Sequence, residues 1–131
     1  MSAMQGHVVL YDRLGGETGI RNLVDAFYDV MNTDPRAAPI RAMHPEDLAQ
    51  SREKLYLFLS GWAGGPALYN EKHGHPRLRY RHMTFSIGNE EAAQWLYCMD
   101  AALKQCGVEA ETGEWMMRSL TMTAMHMRNR D

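Results

Sequence analysis

The sequence predicts an all-α protein, and three observations carry that expectation. Apolar residues recur at three- and four-residue spacing in four long stretches, glycine and proline clusters separate those stretches, and no run alternates apolar with polar residues long enough to make a strand. At 131 residues the chain is expected to form one domain, 1–131, with residues 1–9 as a short lead and enough core to enclose a cofactor. A hydrophobic content of 45% beside a charged content of 23% describes an ordinary globule and excludes a disordered chain.

Charge and termini narrow the partners. A net charge of −2 gives no overall pull toward phosphate, so nucleic acid is not an expected partner. The lead is short and uncharged from Met1 to Gly6, unlike a signal peptide, and no stretch approaches membrane-spanning length. A cytoplasmic location is therefore the expectation. Cys98 and Cys106 would lie roughly 12 Å apart along one helix, too far to bridge, and are expected to be reduced core thiols.

Val8 to Leu14 leads into Gly15-Gly16. With Gly19, these glycines bracket Glu17 and Thr18, predicting a tight turn or a close approach to another helix. The first long helix is expected from Ile20, with Ile20, Leu23, Val24, Phe27, Val30 and Met31 on its apolar stripe, ending near Asn32 to Pro35. Tyr28 lies at the edge of that stripe, as a core-edge tyrosine or as a hydroxyl donor in a pocket. Pro35, Pro39 and Pro45 punctuate a loop, and Pro45 holds His44 in an extended backbone conformation.

A second helix is expected to carry Glu46 and Asp47 in its first turn and a stripe of Leu48, Ser51, Leu55, Phe58, Leu59 and Trp62. Ser51 is the one polar residue on that stripe, bonding back to a carbonyl or facing a pocket, with Lys54 on its flank. Gly61, Gly64, Gly65 and Pro66 close the helix, and Ala67 to Pro76 is expected to be an extended connection. Residues 77–82 predict a short helix or turn, and Thr84 to Asn89 a loop. The third helix starts at Asn89 or Glu90 and presents Ala93, Leu96, Met99, Ala102 or Leu103, and Cys106 on one face, with Trp95 beside it. After Gly107, the last helix carries Trp115, Met116, Leu120, Thr123, Ala124 and Met127.

The chemistry concentrates between Tyr69 and Ile87. His73, His75 and His82 fall there, with Lys72, Arg77, Arg79 and Arg81 close to the last histidine. An imidazole within a basic frame suits an iron porphyrin, whose metal takes an axial histidine and whose propionates take cations. Other readings stand beside it. His82 can be a structural or surface histidine, and the three histidines have zinc-like spacing but no nearby carboxylate or thiolate to complete four ligands. A nucleic-acid patch is disfavoured because Tyr80 is the sole aromatic among the alternating arginines.

Ordered along nearly the whole chain, Leu10 to Asn129, stand Leu14-Gly15-Gly16-Glu17, Ala26-Phe27-Tyr28, Gly64-Gly65-Pro66 with Leu68-Tyr69, His73-Gly74-His75-Pro76 leading to Leu78-Arg79-Tyr80-Arg81-His82, Ala93-Gln94-Trp95-Leu96 with Cys98-Met99, Leu120-Thr121, and His126-Met127. In these blocks and their order the chain resembles the group II truncated haemoglobins. The resemblance implies a truncated globin fold, a two-over-two helical sandwich around haem b, with His82 as the iron ligand and Tyr28 and Trp95 as distal hydrogen-bond donors. It further implies that Lys54, Arg79 and Arg81 lie near the propionates, that Leu55 and Phe58 pack on the porphyrin, and that Ser51 belongs to the distal wall. Between Pro39 and Asp47 this chain holds a few extra residues, which place His44 where the family usually has phenylalanine or tyrosine. His44 is thus expected to be a further distal donor or an iron ligand, with hydrogen bonding favoured.

The function so implied is binding of O2 and other small ligands such as NO, CO or peroxide. The alternatives are a haem peroxidase or nitric-oxide-detoxifying enzyme served by an external reductase, and a non-catalytic gas sensor. A monomer or homodimer is expected.

Overall fold

Two glycines decide where the first long helix starts. In the computed structural model, which describes residues 9–77, 82–83 and 87–129, the short helix α1 (Leu10–Arg13) runs into Gly15 and Gly16, both left-handed at φ 98° and 67°. Helix α2 (Gly16–Thr33) then begins at the second glycine, a turn earlier than the apolar stripe suggested. Gly19 is inside the helix and serves a close approach: a Cβ there would stand 1.7 Å from the Leu14 carbonyl oxygen. The rest of α2 follows its periodicity, burying Ile20, Leu23, Val24, Phe27, Tyr28, Val30 and Met31.

A 3-10 turn (Pro35–Ala37) opens with the Asp34 carboxylate accepting from the Arg36 N–H (2.9 Å), and α3 (Ala38–Ala42) follows. Helix α4 (Ala49–Trp62) starts later than expected, because Asp47 lies outside it in an Asx turn ahead of the N-cap Leu48, its Oδ1 accepting from the Ala49 N–H at 2.9 Å. Glu46 too precedes the helix. The connection after Pro66 is a further correction, since Leu68–His73 forms α5 instead of an extended run. Proline can precede a helix, and Leu68, Glu71 and Lys72 are good helix formers.

Helix α6 (Asn89–Gln105) is started by the Gly88 N–H donating to the Glu91 carboxylate at 2.7 Å. Its buried face is Ala92, Cys98, Met99, Ala102 and Leu103, rotated from the expected one so that Ala93 is exposed, while Cys106 is exposed because it lies past Gln105 as the C-cap of the helix. The expected pair of core thiols is therefore one buried thiol, Cys98, and one exposed thiol, Cys106; both are free. Helix α7 (Ala110–His126) keeps its expected core residues Met116, Leu120 and Ala124.

The principal contacts join α2 to α6 and to α4, α6 to α7, and α4 to α5, whereas α4 and α7 make no extensive contact. The arrangement is an all-α sandwich of packed helices, with Phe27, Leu59, Met99, Met116 and Leu120 fully buried at its centre. No strand occurs among the described residues, and no described helix is long and apolar enough to cross a membrane.

Candidate functional site

Consecutive helical positions on α2 point Phe27 and Tyr28 along one side of the core, where α6 brings Trp95 against them. The Phe27 ring centroid is 4.9 Å from that of Tyr28, edge-on at 89°, and 5.0 Å from that of Trp95. Sequence periodicity marked Phe27 as ordinary core; the structure makes it the spacer between two polar aromatic residues. Tyr28 is 5% exposed, yet its hydroxyl donates to no group among the described residues, and neither does the Trp95 indole N–H. The Tyr28 ring is buried and Trp95 half-buried, and the polar ends of such rings usually find a hydrogen-bond partner. Burial drives the Tyr28 phenol far above its ordinary pKa, with only partial opposition from the Arg52 charge, so the hydroxyl keeps its proton at neutral pH.

Arg52, on α4, backs this pair from outside. Its guanidinium lies 5.8 Å from the Tyr28 ring centroid and ion-pairs with Asp25 (3.2 Å) and Asp29 (2.9 Å), one turn apart on α2. Sequence reading missed it, although two carboxylates at i and i+4 flanking Tyr28 were a visible signal.

His44 enters the same cluster, its ring centroid 5.9 Å from that of Tyr28. Nδ1 lies 2.8 Å from the Ile40 carbonyl oxygen, which can only accept, so Nδ1 carries the proton and the neutral ring presents Nε2 as a lone pair. Burial pushes its pKa down; the bond to Ile40 works the other way, and the charges of Arg41 and His82 add to the depression. In this tautomer neutral His44 has no second N–H to give, so the expected donor role is not available to it and Nε2 offers a lone pair. Its loop is held by Arg41, whose guanidinium donates to Asn32 Oδ1 (2.9 Å) and to the carbonyls of Pro45 (2.9 Å) and Glu46 (2.8 Å).

On α4, Ser51, Leu55 and Phe58 are half-buried, while the fully covered residues of that helix include Tyr56, Leu57 and Ser60, which the stripe had not singled out. Lys54 is exposed and makes no ion pair among the described residues. His82 is half-buried in a turn, its carbonyl accepting from Asn129 Nδ2 at 3.3 Å. Arg79 and Arg81 lie outside the described residues. His73 and His75 are exposed, and no group of three or more His, Cys, Asp or Glu side chains able to hold a metal occurs among the described residues.

A flat apolar group with a metal at its centre asks for apolar walls, an axial imidazole and donors toward a small acceptor. Leu55, Phe58 and Trp95 supply half-covered apolar surface, packed on the core from one side. His82 supplies the imidazole, and the unpartnered Tyr28 and Trp95 the donors. The residues present fit a haem.

Comparison with known proteins agrees. A model of the bacterial-like globin family matches residues 9–129. A group 2 truncated haemoglobin of Bacillus subtilis is 43% identical over 119 residues, covering 91% of this chain and 87% of that protein. Among solved structures, a cold-adapted truncated haemoglobin of the Antarctic bacterium Pseudoalteromonas haloplanktis superposes with a TM-score of 0.91 at 42% identity, covering 95% of this chain and 100% of the other. A group II 2-on-2 haemoglobin of Agrobacterium tumefaciens gives 0.90 at 42% identity, with 95% and 96% covered. With helices, aromatic cluster and sequence in agreement, the chain belongs to the bacterial-like globins and, within them, to the group II truncated haemoglobins.

Proposed function

We propose that this protein binds O2 and related diatomic gases reversibly through haem b, with His82 as the axial ligand and Tyr28 and Trp95 as the groups that retain the gas. The observation that carries this reading is the pair of donors, one of them on a buried phenol, that donate to nothing among the described residues. His82 would hold haem b through its iron, and the group would supply the metal that takes up a small gas.

The chain's own residues do the rest. Tyr28 stays protonated because its phenol is desolvated, so it gives a hydrogen bond without giving up the proton. The Trp95 indole is donor-only and adds a second neutral donor. Neutral donors in a dry site stabilise partial negative charge on an acceptor without transferring a proton to it. Phe27 spaces the two rings, and Arg52 with its aspartates holds α4 against α2 behind Tyr28. Leu55 and Phe58 are the apolar wall and Ser51 its one hydroxyl, while Lys54, being exposed, is free to meet a propionate together with Arg79 and Arg81.

The test is the absorption spectrum of the purified protein and its titration with haem. A one-to-one complex that forms a reversible oxy species is expected. Absence of stoichiometric haem binding overturns the reading.

A further inference from the structure

We infer that Asn129, in the tail just past α7, is a positioning residue for His82: its side-chain amide ties the His82 carbonyl to the amide of Ile87. The inference rests on the reading of His82 as the axial ligand and adds how that ligand is held. Asn129 Oδ1 accepts from the Ile87 N–H at 2.9 Å, Nδ2 donates to the His82 carbonyl at 3.3 Å, and the Asn129 backbone N–H donates to the Ile87 carbonyl at 2.8 Å. The orientation of the amide is chemically forced, because the Ile87 N–H can only donate and the His82 carbonyl can only accept. Next to it, Arg128 donates to Asn89 Oδ1 at 2.7 Å and to the Met125 carbonyl at 3.1 Å, which joins the end of α7 to the start of α6.

His82 and Ile87 are the two ends of a short segment, and one amide bridges both. The height of the His82 backbone relative to α6 and α7 is thereby referred to a residue in the C-terminal tail. A longer reach, a missing donor or a like charge at position 129 shifts the His82 backbone and with it the imidazole. Aspartate is the discriminating replacement: it keeps an acceptor for Ile87 but sets a carboxylate oxygen against the His82 carbonyl oxygen. Alanine removes both bonds.

The experiment compares parent, Asn129→Asp, Asn129→Ala and His82→Gly. The readouts are the iron–histidine stretching band, haem transfer to an excess acceptor globin, and hydrogen exchange of the Ile87 amide in the protein as purified. In Asn129→Asp the band is expected to shift and haem to leave roughly five- to tenfold faster, the loss of one hydrogen bond, while Ile87 exchange stays slow. In Asn129→Ala exchange at Ile87 also speeds up. An unshifted band with parental haem transfer in both Asn129 variants overturns the inference, even if their melting temperatures fall, since a merely structural anchor does that. Failure of the haem reading looks different: His82→Gly then keeps the parent's band, or the parent binds no haem.

Discussion

Replacing Tyr28 by phenylalanine removes one hydroxyl and preserves the edge-on packing against Phe27. That hydroxyl has no acceptor among the described residues, so its removal should act in opposite directions on two measurable quantities. In the haem-free protein a mostly buried phenol oxygen without a protein partner is a cost, and Tyr28→Phe is expected to stabilise folding by about 0.5–1 kcal/mol, the low end for such a group because its edge is not wholly sealed. In the oxygenated protein the same change deletes a donor, worth about 1–3 kcal/mol, and oxygen should leave roughly 5- to 150-fold faster. Stopped-flow dissociation measures the second quantity and urea unfolding of the haem-free chain the first. Trp95→Phe and the double variant complete a cycle, in which non-additive rates show that both donors serve one acceptor. Unchanged oxygen release in both single variants refutes the donor pair; lower haem-free stability in Tyr28→Phe refutes the claim that its hydroxyl is unpaired.

Four further outcomes follow from the same geometry. His82→Ala is expected to lose stable haem retention and with it the stabilisation that a ligand confers on the native state, read from haem content and melting temperature. His44 is held neutral, with its folded pKa below the ordinary histidine value near 6.5. Its contribution to stability is therefore fully present above about pH 6.5 and is lost as pH falls toward the folded pKa, because the unfolded chain takes up that proton first. His44→Ala should flatten this acid limb in a pH series of unfolding curves, and at pH 8 it should leave oxygen release close to the parent rate, since the neutral ring has no second N–H to give. Gly19→Ala puts a Cβ against the Leu14 carbonyl oxygen, and should cost about 3 kcal/mol in chemical denaturation or prevent folding.

The number and order of the four long helices and most of their apolar residues were legible along the chain because periodicity is a local property, and the order of short blocks nominated the candidate site. The sequence by itself determined that Ile20 to Met31 would bury one stripe, that Met116, Leu120 and Ala124 would do the same at the other end, and that Tyr28, Trp95 and His82 were the groups to watch. Helix ends were less legible, since the Asx turn at Asp47 and the backbone freedom of Gly16 depend on a few atoms, not on a repeating pattern. Only the tertiary structure decided the partners. It rotated α6 so that Cys98 went in and Ala93 stayed out, because the face a helix buries is chosen by its neighbours, here α2 and α7, and it ended the helix at Gln105 so that Cys106 is left exposed at the cap. It also spent the Nδ1 proton of His44 on the Ile40 carbonyl, and so turned an expected donor into an acceptor. And it brought Asn129 from the chain's far end to the carbonyl of His82, a contact across 47 residues that no local pattern encodes.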